Sequence, residues 1–85
     1  MMEYRYTPHQ VARGSRPDAV AGNMWYLIKA ASLVRLTYQI RILTFMATER
    51  GARLVIRVPK SSRVSPDLRA FVKANSRVLK VEKVT

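Results

Sequence analysis

The sequence predicts an α+β fold in two parts: a basic N-terminal arm over residues 1–23, then a single small domain over 24–85 with a long central helix followed by a small β-α-β unit. Three observations lead there. Seventeen of the twenty-four residues from Met24 to Ala47 are apolar, and Glu49-Arg50-Gly51 ends the run as a helix C-terminus with glycine just past it. Arg53 to Val58 alternates in the manner of a strand. Ser65-Pro66-Asp67 offers an N-cap, a first-turn proline and a first-turn acid, and Val78 to Val84 alternates again.

The arm contains Tyr4, Arg5, Tyr6, Pro8, His9, Arg13, Gly14, Ser15, Arg16 and Pro17, with almost no periodic apolar residues. One reading is a flexible tail. The other is an extended arm in which Arg5, Arg13 and Arg16 follow phosphates while the tyrosines stack on bases or pack into a partner's groove.

On a helix turning 100° per residue, Leu27, Ala31, Val34, Tyr38, Ile42 and Phe45 share one stripe. Trp25, Leu33, Leu36, Ile40 and Leu43 collect on roughly the opposite side. The first stripe, Tyr38 and Phe45 included, is expected to pack on the protein's own sheet, which leaves the second for another copy or a different partner. Trp25 and Tyr26, at the helix start, are expected to anchor a core or an interface rather than to stack on bases. A strand competes with the helix over residues 34–42, where Val34, Leu36, Tyr38, Ile40 and Ile42 alternate with Arg35, Thr37, Gln39 and Arg41. The alternation breaks on both sides, which favours the helix. A membrane span is not expected, because Lys29, Arg35 and Arg41 would each cost about 2.5 to 3.5 kcal/mol in the bilayer.

In the C-terminal half, Leu54, Ile56 and Val58 should share one strand face and Arg53, Val55 and Arg57 the other, with Pro59 ending the strand. A loop, Lys60-Ser61-Ser62-Arg63-Val64, precedes a helix running from Ser65 to about Asn75. That helix buries Leu68, Phe71 and Val72 and turns Arg69 and Lys73 outward. The final strand puts Leu79 and Val81 inward and Lys80 and Glu82 outward. Strand, helix and strand imply a right-handed unit with parallel strands. Two strands make a poor sheet alone, so more are expected from a second subunit or from the competing strand over 34–42.

Leu54-Val55-Ile56-Arg57-Val58 followed by Ser65-Pro66-Asp67-Leu68-Arg69 resembles the strand and helix start of ribosomal proteins that bind RNA kink-turns. The glycine-rich helix start with which that family grips RNA has no counterpart before the strand here, so the resemblance does not amount to membership.

Sixteen basic residues against five acidic ones give a net charge of +11, most easily tolerated beside a polyanion. Arg outnumbers Lys eleven to five, which adds planar, bidentate phosphate contacts. Lys60 and Arg63, with the hydroxyls of Ser61 and Ser62 before a helix start, either meet a phosphate or form a merely solvated turn. Together with Arg53, Arg57, Arg69, Lys73, Arg77 and Lys80 they form either a continuous basic surface or an ordinary solvated face. The favoured function is non-catalytic binding of nucleic acid, RNA being the expected form, in a ribonucleoprotein such as the ribosome. The alternative is a small structural subunit or adaptor of a larger acidic protein complex, with homo-oligomerisation possible. A peripheral membrane protein comes third. No cofactor or metal is expected: cysteine is absent, His9 is the sole histidine, and Glu3, Asp18, Glu49, Asp67 and Glu82 are dispersed, so no catalytic set can be assembled. The lack of an apolar signal core near Met1 makes the cytoplasm the expected location.

Overall fold

The computed structural model describes residues 16–84. Its elements run β1 (Ala19–Ala21), β2 (Met24–Ile28), β3 (Leu33–Val34), α1 (Tyr38–Arg50), β4 (Arg53–Pro59), β5 (Arg63–Val64), α2 (Pro66–Ala74) and β6 (Leu79–Val84). Leu54, Val55 and Ile56 are buried in succession, so β4 is covered on both faces. A strand of that kind needs neighbours at both edges. It has them: β2 and β6 pair with β4 in parallel, and β1 adds antiparallel to β2, giving the mixed sheet β1-β2-β4-β6. A separate two-residue parallel ladder joins β3 to β5, aligning Leu33 with Arg63 and Val34 with Val64.

The long central helix does not exist. The structure has two short helices, and the one in the central stretch, α1, is 13 residues long, so strands dominate. Met24-Trp25-Tyr26-Leu27-Ile28 is a strand because aromatic and β-branched residues suit a pleated surface and because β4 presents an edge to pair with. The competing strand reading over residues 34–42 fails as well: of those residues only Val34 belongs to a strand, and the helix begins at Tyr38. Thr37 starts α1 as its N-cap, accepting from the Ile40 N–H, and Gly51 closes it in the left-handed conformation, φ 67. The helix end was therefore legible and its beginning was not.

The extra strands that the β-α-β unit needs come from this chain rather than from a second subunit. Ala19–Ala21, within the segment expected to be an arm, forms β1. Ala21 lies opposite Met24, leaving Gly22 and Asn23 as a two-residue turn; Gly22 has φ 63 while Asn23 stays at negative φ, the pattern of a type II′ turn. Asp18 ties the hairpin, its N–H donating to the Tyr26 carbonyl at 2.7 Å and its carboxylate accepting from the Ile28 N–H at 2.7 Å. A Cβ at Gly22 would meet no atom within 4 Å, so only backbone strain opposes one. Gly22→Ala should cost about 1 kcal/mol in urea unfolding.

Both parallel connections put a helix on the same sheet face when they take the usual right-handed sense. Burial agrees: Trp25, Leu27, Leu54, Ile56, Val58 and Leu79, which share one face by register, form a single core with Ile40, Leu43 and Ala47 of α1 and Leu68 of α2. Tyr26, Arg53, Arg57, Lys80 and Glu82 alternate onto the other face.

Candidate nucleic-acid interface

Most of the described carboxylates have structural work. Asp18 ties the hairpin, Asp67 caps α2, and Glu82 accepts from Arg57 Nε at 2.8 Å, the single ion pair found between described residues. Glu49 sits exposed in the last turn of α1. The cations are thus left largely uncompensated, and the fold decides where they gather.

They gather in two places. The expected continuous basic surface is divided by the sheet, because successive residues of β4 point to opposite faces. Arg53, Arg57 and Lys80 stand on the helix-free face. There Arg57 lies 4.7 Å from the Tyr26 ring centre and also holds Glu82, so both its charge and that ring are engaged.

On the helix side, α2, β5 and β6 enclose an open groove of about 910 Å³. Leu68 faces the core, which turns Arg69 and Lys73, four residues apart, onto the groove wall. The β3–β5 ladder brings in Arg63, and the Arg69 Nη2 donates to the Val64 carbonyl at 3.4 Å. Lys83 completes the rim. It was missed in the sequence, although residues 79, 81 and 83 must share a strand face. Among the described residues, no carboxylate lines the groove.

Of the other basic residues singled out, Lys60 lies in an exposed turn, Arg77 in the turn after α2, and Arg16 is exposed just before β1. Arg5 and Arg13 fall outside the described residues.

In the loop whose cations and hydroxyls suit a phosphate, one hydroxyl is already engaged. Ser62 is buried, and its hydroxyl donates to the Ala31 carbonyl at 2.7 Å, tying the β4–β5 turn to the segment before β3. At the start of α2 the Ser65 hydroxyl donates to the Asp67 carboxylate, which takes the Leu68 N–H at 2.8 Å. The helix thus supplies its own anion.

The expected partner-facing residues also need correction. Trp25, Ile40 and Leu43 lie in the core, and Leu36 is half-buried against it. Only Leu33, beside the groove, is exposed. Tyr38 and Phe45, expected to pack inside, are 51% and 55% exposed. The buried stripe of α1 is the one that had been assigned to a partner.

The hydrogen bond from Ser65, the Leu68 N–H and the charge of Arg35 hold the Asp67 carboxyl below its ordinary 3.8. A depressed folded-state pKa stabilises fully above the unfolded value and loses that stabilisation as pH falls from 3.8 through the lower folded value. Asp67→Asn should therefore be less stable than wild type near neutrality. The gap should narrow as pH falls below 3.8, as read by urea unfolding across that range.

Comparisons with protein-family models, curated proteins and solved structures found no match. The resemblance of residues 54 to 69 to kink-turn-binding proteins gains no support from them. Among the described residues, no helix is long and apolar enough to cross a membrane, and no group of three or more His, Asp or Glu could hold a metal.

Proposed function

We propose that this protein binds nucleic acid without catalysing a reaction, with RNA as the form bound, as an accessory component of a cytoplasmic ribonucleoprotein such as the ribosome. One observation supports this above others: Arg63, Arg69, Lys73 and Lys83 ring a concave surface that no carboxylate among the described residues lines. Phosphates are the ligand class such a rim attracts, and arginine can meet them bidentately. Binding of this kind is governed by charge and shape rather than sequence.

A second reading has its own observation. Tyr38 and Phe45, seven residues apart on α1, are exposed aromatics of the kind that anchors protein interfaces. They support an adaptor that docks on a larger acidic assembly.

Gradient sedimentation of the untagged protein in a lysate of its host, with and without nuclease, separates the two. Nucleic-acid binding requires a heavy position that collapses to the top after nuclease. A heavy position that survives nuclease belongs to the adaptor.

A further inference from the structure

The geometry points to an unpaired nucleotide as the occupant of the groove, so that the nucleic acid held there is single-stranded; this rests on the nucleic-acid reading above. A phosphate backbone alone gains nothing from an aliphatic wall. Here Val64, Val72 and Val81, each half-buried, line the groove beneath its cations. A ligand that fills it must bring negative charge to the rim and an uncharged, planar or apolar body to cover the valines. An unstacked base with its phosphates has both parts. A duplex does not, because its bases stay inside the stack.

The size agrees. At about 910 Å³ the groove falls within the range of small-ligand sites. Arg69 lies beside Val64, where its planar guanidinium can stack on an inserted base. Leu33 is shared with a smaller cavity of about 280 Å³ lined by Lys29 and Arg35, so cations continue past the groove along the course of a strand. The opposite sheet face is the weaker candidate, since its one aromatic ring, Tyr26, already carries Arg57.

The test is fluorescence anisotropy of the full chain with three probes of equal length: single-stranded oligouridylate, an RNA duplex, and a ribose-phosphate oligomer lacking bases. Charge alone favours the duplex, whose two strands give it the higher charge density, so a preference for the single strand reports the groove. The single strand should bind about tenfold more tightly than either other probe. Val72→Thr, which makes the wall polar without altering its shape or charge, should bring the single strand towards the level of the base-free oligomer. Should that variant fail to fold, the base-free comparison decides alone. Equal affinity for single strand and base-free oligomer, or tighter binding of the duplex, overturns the inference and leaves the nucleic-acid reading standing. If none of the three binds while phosphatidylglycerol vesicles do, both fall, and an anionic lipid is the occupant.

Discussion

Replacing Arg63, Arg69 and Lys73 together by glutamate should lower affinity for single-stranded RNA by about a thousandfold, on the order of 4 kcal/mol. Each reversal removes a cation that displaces a counterion from the ligand and puts a repelling carboxylate in its place. All three side chains are exposed, and substitutions at such sites seldom disturb a fold by more than about 0.5 kcal/mol. The melting curve should therefore stay close to that of wild type, which separates lost binding from lost structure. The control is Arg53→Glu with Lys80→Glu on the helix-free sheet face. It changes the overall charge but not the groove, and should cost less than about tenfold through the long-range field. If the control proves the more damaging, the binding surface is that sheet face.

Leu54→Ala should destabilise the protein by about 3 to 5 kcal/mol in urea unfolding. Leu54 is fully buried on the central strand, aligned with Trp25 on one side and Leu79 on the other. Truncation leaves a void that neither neighbour can close without breaking register. Domains of this size have about 5 to 15 kcal/mol in total, so the variant should be close to unfolded at ordinary temperature. Phe45→Ala, by contrast, removes a larger side chain and should cost about 0.5 kcal/mol or less. A single long helix with Phe45 packed on the sheet would make both truncations costly, so the small loss at Phe45 discriminates between the two architectures.

The C-terminal half of this fold is written in local signals. Ser65, Pro66 and Asp67 start a helix by satisfying its first N–H groups, and the alternation in Arg53–Val58 and Leu79–Val84 names two strands and their inward faces. Met24 to Ile28 carries no such marker. A short unbroken apolar run suits a strand and a buried helix segment alike, so periodicity alone cannot distinguish Met-Trp-Tyr-Leu-Ile from part of a helix. What decides is a partner some thirty residues away, since Met24 to Ile28 align with Arg53 to Arg57. Two local cues did point the right way: Gly22-Asn23 is a hairpin turn, and Thr37 stands one residue before α1 begins.

The groove was legible only in pieces. Arg63, Arg69 and Lys73 were recognisable as outward cations, but their separation from Arg53 and Arg57 follows from the two faces of β4. Lys83 joins them because β6 returns parallel to β4 and beside α2. The burial of Ser62 could not be read from a loop of serines and cations. It depends on the Ala31 carbonyl, brought near by the two-residue β3–β5 ladder.

The salt dependence of binding tests the account most directly. With single-stranded oligouridylate and the full chain, the logarithm of the association constant is measured against the logarithm of salt concentration. Four rim cations at about 0.7 each predict a slope of about −3 or steeper, falling to about −1 in the triple glutamate variant. A flat line, or a slope the variant leaves unchanged, would contradict the assignment of this groove to nucleic acid.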